Sequence, residues 1–406
     1  GHVMARNGSG VSIFHSEKKG LWVARIELPR RNGERRRKEV TAKTHARLLE
    51  KLRGPLKQYH LTGDMPTSST RLGDYLEYWF ENVVLKERTP NTAAGYRSVL
   101  WTHVIPEIGN VALDKLTTAH LRRVHTRITS TEKGAHDPPV YLSSTYALNA
   151  HRVLSAALTS AERDGLISRN PAALMAAPRK SLKKIDALTV SEAKDVLKLV
   201  VKEFGKTGEY DPRPARWATY LLTGARRGEI LGLEIDRVTD VLELSWQLQR
   251  VANIETAPTD YEYRHIAKGM YWTRPKSSAG WRVIPLVEPL KSILETHLAV
   301  MGHNDYGLVF ASGKGLPIDP DTETELWERA LEKSGITTKH VRLHDLRHST
   351  VDLLYGAGVS EDLIVEIIGH STRGVTRGYK SPANMKRREA AMLQLSSFLG
   401  YEPKRV

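Results

Sequence analysis

The chain has 406 residues, with 61 Lys or Arg against 46 Asp or Glu and no Cys, which excludes a disulfide scaffold and a Cys-ligated zinc module. At roughly 100 to 200 residues per domain this length implies two to four domains. No run approaches the roughly 20 apolar residues of a bilayer span and no signal peptide opens the chain, so a soluble, intracellular protein is expected. Gly1, His2 and Val3 ahead of Met4 read as a cloning scar. The net charge of +15 is unevenly spread, because residues 1 to 60 hold 15 Lys or Arg against 5 Asp or Glu. Such a concentration is the electrostatic footprint of a polyanion binder.

Taken in chain order, residues 11–15, 21–28 and 36–40 read as three short strands, the last two joined by an Asn32-Gly33 turn. A helix follows from Thr44, its cap, with Leu48, Leu49 and Leu52 on one face. This small sheet cannot bury both faces, and the free one carries Arg25, Arg35 and Arg37. Residues 63–71 read as a linker, and residues 72–177 as a domain of four or five helices. There Thr89-Pro90-Asn91 opens one helix and Asp164-Gly165 closes another. Its basic residues, Lys86, Arg88, Arg97, Arg122, Arg123 and His151, lie on several helices and are candidates for phosphate contact. Residues 178–187, with Lys183, form a basic second linker suited to lie along a phosphate backbone.

A third domain starts at 188, where Thr189 or Ser191 can cap a helix. It is helical except for strands expected at 242–248, 270–274 and 281–286, the last two forming a hairpin around 277–280. Residues 252–269 are long and polar, with no evident element. Four clusters stand out here. Gly224 breaks a helix and the next one opens with Arg226 and Glu229. Lys276 stands at the mouth of the expected hairpin, in the run ending Trp281-Arg282-Val283-Ile284-Pro285. His344-Asp345-Leu346-Arg347-His348 opens a further helix in which Tyr355 is expected to be buried. Gly369-His370 ends another, and Tyr379 follows nine residues later.

The order Arg, Lys, His-x-x-Arg, Gly-His and Tyr resembles the catalytic domain of tyrosine recombinases, specifically phage integrases of the lambda-integrase type. The wording around Trp281 looks most like integrases of actinobacterial phages. The resemblance implies a multidomain, mainly α architecture. A three-stranded sheet plus helix (5–62) would bind arm-type DNA sites, a helical domain (72–177) would bind the core site, and a mixed α+β domain (188–382) would be catalytic. The tail 383–406, rich in Met392, Leu395, Phe398 and Leu399, would dock on its own domain or on a neighbouring protomer. It further implies double-stranded DNA as substrate, a homotetramer on DNA, a host DNA-bending factor and an excisionase as partners, and work on the nucleoid in a bacterial host cytoplasm. No cofactor and no metal is implied.

In that reading Tyr379 is the nucleophile that forms a 3′-phosphotyrosyl link, with Glu229 supporting the site from behind. A free Tyr of pKa about 10 is ionised to about one part in a thousand at pH 7, a deficit near 4 kcal/mol that neighbours must offset. Arg226 and Arg347 offer fixed forks of donors for the phosphate charge. His344 and His370 titrate near neutrality and can donate to the phosphate or take the tyrosine proton. Lys276 is the candidate general acid for the leaving 5′ oxygen, with Lys268 its neighbouring rival. Three other readings share some of these residues. His344 and His348 have the spacing of a zinc-binding His-Glu-x-x-His helix, with Asp345 in place of Glu. An inactive DNA-binding regulator would keep the fold alone, and a type IB topoisomerase would share the chemistry.

Overall fold

The computed structural model describes residues 4–7, 11–31, 34–62, 70–276, 280–336, 339–369 and 382–401. The expected turn at Asn32-Gly33, most of the first linker, the turn at 277–279, His370 and Tyr379 lie outside the described residues. The chain divides into two compact units, Gly1–Leu182 with Glu255–Pro258, and Lys183–Ile254 with Thr259–Val406.

In the first unit the three expected strands become β2 (Val11–Ser16), β3 (Leu21–Arg31) and β4 (Glu34–Ala42), and a short β1 (Met4–Asn7) pairs on the outer edge of β2. All neighbours are antiparallel. Alternation sends Ala24, Ile26 and Ala42 to one face, where they pack with Leu48 and Leu52 of α1 (His45–Thr62). Leu48 and Leu52 stand four apart and are fully buried, each worth about 1.5–3 kcal/mol against exposure. Thr44 caps α1 through its hydroxyl, which accepts from Arg47 N at 3.3 Å. The other face carries Phe14, Arg25, Glu27, Arg37 and Glu39.

Residues 72–177 are mainly helical, with a long non-helical connection at 130–143. The chief helices are α2 (Leu72–Trp79), α3 (Pro90–Val99), α4 (Thr118–Thr129) and α5 (Ser144–Arg163), around a core that includes Leu76, Leu100, Leu121 and Leu158. Thr89 caps α3 with Pro90 in its first turn, and α5 ends at Asp164 before Gly165, whose φ of 76° suits a residue without Cβ. His151 does not join the basic surface. It is buried, its Nδ1 lies 3.1 Å from His125 Nε2, and burial draws both imidazoles below their ordinary range, His125 to about 4.

The second unit opens with α6 (Val190–Phe204), started by a reciprocal Thr189–Glu192 capping box. Then come α7 (Arg213–Thr223), α8 (Arg227–Leu231), α9 (Leu290–Met301), α10 (Pro320–Lys333), α11 (Leu346–Gly356), α12 (Glu361–Ile368) and α13 (Pro382–Phe398). Its strands depart from expectation. The run at 242–248 splits into β5 (Val241–Leu244) and β6 (Gln247–Arg250). Part of the polar 252–269 stretch becomes β7 (Tyr263–Ala267), which hairpins onto β8 (Met270–Thr273) through Lys268-Gly269. Both turn residues have positive φ, 35° and 71°, the twist that a two-residue hairpin needs. The expected hairpin of 270–274 with 281–286 does not form. Instead β8 pairs with β6, and β9 (Arg282–Pro285) pairs with β5, so Lys276 sits in a connection between strands of two different sheets.

One further expectation is corrected. Tyr355 is 50% exposed, because the buried face of α11 is formed by Leu346, Ser349, Thr350, Leu353 and Leu354. The apolar tail packs in cis: Ala391, Met392, Leu395 and Leu399 are buried in the core of their own unit. No helix among the described residues is long and apolar enough to cross a membrane.

Candidate active site

The site begins where α7 stops. Gly224 takes φ 62°, and a Cβ there would meet Ile368 Cδ1 at 2.4 Å, so glycine is needed for conformation and for space. The chain then turns into α8, held against β6 so tightly that a Cβ on Gly228 would lie 2.7 Å from Leu248 O. Arg226 is the N-cap of this helix and Glu229 its third residue. Buried Glu229 accepts from Arg226 N at 2.8 Å and from Arg226 Nη1 at 3.1 Å. Arg226 Nη2 donates onward to Gly369 O at 3.3 Å.

Arg282 is the residue that sequence reasoning missed. It is fully buried on β9 and gives Glu229 a two-pronged pair, Nη1 to Oε1 at 2.8 Å and Nη2 to Oε2 at 2.9 Å. Its Nε donates to Ile367 O at 2.7 Å. One side chain thus ties β9 to the start of α8 and the end of α12. The available signal was alternation: Arg282 shares an inward strand face with Ile284. Burial would raise the Glu229 carboxyl, but the Arg282 and Arg226 guanidiniums outweigh it and hold the group below its usual range.

Arg347, in the first turn of α11, is buried and donates from Nη1 to Gly224 O at 2.8 Å. Its Nη2 is buried with no partner among the described residues. Burial, then the charges of Arg282 and Arg226, draws this guanidinium down to about 9, still cationic at pH 7. Arg226 and Arg282 therefore share the carboxylate of Glu229, and Arg347, which makes no bond to it, feels its charge only at a distance. An unsatisfied buried donor costs about 1–3 kcal/mol, which an arriving anionic oxygen would relieve. Thr350, on the same helix, fixes α11 to α7 by donating to Leu221 O at 2.7 Å.

His344 lies on the single turn Leu343–Asp345 that leads into α11. Partial desolvation, then the charges of His348 and Arg347, holds its imidazole below the ordinary range. The carboxylate of Asp345 accepts from Arg342 N, Nε and Nη2 at 2.9–3.0 Å. Lys276 is exposed on its loop. That loop reaches the site, since a Cβ on Gly280 would lie 3.9 Å from Arg226 Nη1. Arg226, Glu229 and Arg347 are thus gathered, with His344 three residues before Arg347.

The candidate DNA contacts lie elsewhere. Arg25 pairs with Glu39 at 2.8 Å, and Arg35 and Arg37 share Glu27 at 3.2 and 2.8 Å. Lys86, Arg88 and Arg97 are exposed, and Arg97 rests on Trp101 at 4.5 Å. Lys183 is exposed in a stretch without regular structure.

Sequence models of the phage integrase family account for most of the chain. The Phage integrase family model matches residues 187–385, and the Phage integrase N-terminal SAM-like domain matches residues 71–128. The chain belongs to the phage integrase family. An integrase of Saccharopolyspora erythraea is 22% identical over 95% of this chain and 96% of its own length. Among solved structures, the Tn1549 transposon integrase in complex with transposon right end DNA is 19% identical, with TM-score 0.61, over 80% of this chain and 99% of that one. A lambda integrase tetramer bound to a Holliday junction is 15% identical, with TM-score 0.52, over 92% and 96%. As a tyrosine recombinase of the lambda-integrase type, this integrase is a site-specific DNA recombinase.

Proposed function

We propose that this integrase inserts and excises phage DNA through a 3′-phosphotyrosyl intermediate, with Arg226, Lys276, His344, Arg347, His370 and Tyr379 as its catalytic residues and Glu229 behind Arg226. The observation that carries this reading is the pairing of Arg226 and Arg282 on one carboxylate beside Arg347, whose buried Nη2 lacks an acceptor among the described residues. A non-bridging phosphate oxygen supplies the missing acceptor and the missing negative charge.

In the cleavage step the Tyr379 oxygen attacks phosphorus and its proton passes to the neutral His344 imidazole. The bond from phosphorus to the 5′ oxygen breaks, and the Lys276 ammonium protonates the departing oxygen. Arg226 and Arg347 stabilise the charge on the equatorial oxygens, and His370 donates to one of them. Rejoining reverses each transfer, so the phosphodiester energy is conserved and no nucleotide is consumed.

Residues 72–177 bind the core site, through Lys86, Arg88 and Arg97, with Lys183 following the backbone beyond them. The N-terminal sheet binds arm-type sites through Arg25, Arg35 and Arg37. The working assembly is a homotetramer on DNA, in keeping with the lambda tetramer above, and a host bending factor and an excisionase set its direction. It acts on the nucleoid in the bacterial cytoplasm.

A nicked suicide duplex tests the core of this reading. Tyr379→Phe should bind the core site as the wild type does and form no covalent adduct. Wild-type adduct from this variant would overturn the assignment and turn attention to the exposed Tyr355.

A further inference from the structure

The loop that carries Lys276 is closed by a stack of alternating guanidinium and indole groups. The Arg264 guanidinium lies 4.4 Å from the rings of Trp246 and Trp272. Trp246 is also approached by Arg274, at 3.8 Å, and Arg274 lies 4.3 Å from Trp281 at the far end of the loop. Arg274 is fixed besides by donating Nη1 to Ser245 O at 3.1 Å and Nε to Glu262 Oε2 at 2.9 Å. Inside this closure Pro275 and Gly280 touch so closely that a Cβ on Gly280 would lie 2.5 Å from Pro275 Cβ. Arg282, directly after Trp281, is locked to Glu229. Both ends of the loop are therefore anchored while Lys276 itself is exposed.

We infer that Trp246, Arg274 and Trp281 form a clamp that sets the position of Lys276 against the leaving 5′ oxygen, making Arg274 and Trp281 positioning residues for the protonation step. The inference rests on the reading of Lys276 as general acid. A planar guanidinium between two indoles suits the task because it packs on both faces and keeps its edge for hydrogen bonds. A Lys side chain has several free torsions, so without a fixed loop its ammonium would spend little time within reach of the oxygen.

The test compares ordinary duplex DNA with DNA whose bridging 5′ oxygen at the cleavage point is sulfur. A thiolate departs without a proton. Trp281→Ala, removing a partly exposed ring, should slow single-turnover cleavage of ordinary DNA by about ten- to a hundredfold. It should leave core-site affinity unchanged and cleave the sulfur substrate at close to the wild-type rate. Trp281→Phe should recover much of the loss, and Trp281→Leu, which keeps bulk without a π face, should not. Should the alanine variant melt too early to assay, the leucine variant carries the same expectation.

Lys276→Ala separates the two readings. If sulfur does not rescue it, the general-acid assignment itself fails. If sulfur rescues it while the Trp281 variants cleave ordinary DNA normally, or are equally slow on both substrates, the clamp is overturned and the assignment stands.

Discussion

The N-terminal sheet and the catalytic unit both present arginines for phosphate, yet they hold them in opposite ways. On the sheet, Arg25, Arg35 and Arg37 are solvent-accessible and every one is paired with a carboxylate, Arg25 with Glu39 and the other two with Glu27. In the catalytic unit Arg226 and Arg282 divide one carboxylate, and the neighbouring Arg347 has no carboxylate bond and keeps a buried donor without an acceptor among the described residues. Surface pairs in water are exchanged readily and contribute little. A buried excess of positive charge is instead held in place by folding before any substrate arrives, which is the condition for stabilising a transition state without reorganisation. The same residue type thus supplies loose adhesion in one region and fixed catalysis in the other.

The sharpest way to break this contrast is to remove one arginine from each region. Arg347→Ala should lower single-turnover cleavage by about 10²–10³-fold while core-site affinity changes little. Arg347→Lys should recover little of it, because an ammonium cannot donate to Gly224 O and to phosphate in the same fixed fork. Arg37→Ala should leave cleavage of core DNA at the wild-type rate. Equal losses from the two sites would show that the pairing difference has no catalytic meaning.

How far these arrangements could be read in advance follows the range of the interactions. Arg226 with Glu229, and the caps at Thr89 and Thr189, are local: partners within three residues leave a visible spacing. Helices with a repeating apolar face were equally legible, as in α6 and in α1. Arg282 pairs with a residue 53 positions away, a contact with no trace in spacing, and only its inward place on a strand hinted at it. The strand pairing failed for a related reason. The turn signals around 277–280 suggested a hairpin, whereas Lys268-Gly269 supplied the positive-φ pair that closes the real one. Tyr355 was misplaced because apolar neighbours in sequence do not specify which side of a helix faces the core.

A smaller effect concerns the proton. His344 is held below its ordinary value by desolvation and by the neighbouring charges of His348 and Arg347, so it is neutral, and able to accept, at pH 7. The required form is lost as pH falls through the lowered value. The acid limb of the cleavage profile should therefore lie below about 6.5, with the rate falling about tenfold per pH unit beneath it. His344→Asn should be slow and lack that limb. A limb above 6.5 in the wild type would mean that His344 acts as a cation, and the proton acceptor would have to be sought elsewhere.

The least effect is expected on the sheet, and its sign is informative. Arg35 and Arg37 share Glu27, so any phosphate they bind must first displace that carboxylate. Glu27→Gln keeps the size and a hydrogen-bond acceptor but removes the competing charge. Arm-site affinity should then rise, by about two- to fivefold at moderate salt, and the dependence on salt should steepen as more counterions are released per complex. The corresponding change in the catalytic unit, Glu229→Gln, should have the opposite sign: it leaves Arg226 and Arg282 without their shared anion, loosens the site and slows cleavage. Removing a carboxylate should therefore help the region where arginines are exchanged and harm the one where they are fixed. Filter-binding titrations of Glu27→Gln across a salt series measure the first half directly. Unchanged affinity and slope would mean that Arg35 and Arg37 face away from bound DNA, leaving Arg25, with its separate partner Glu39, as the contact to examine.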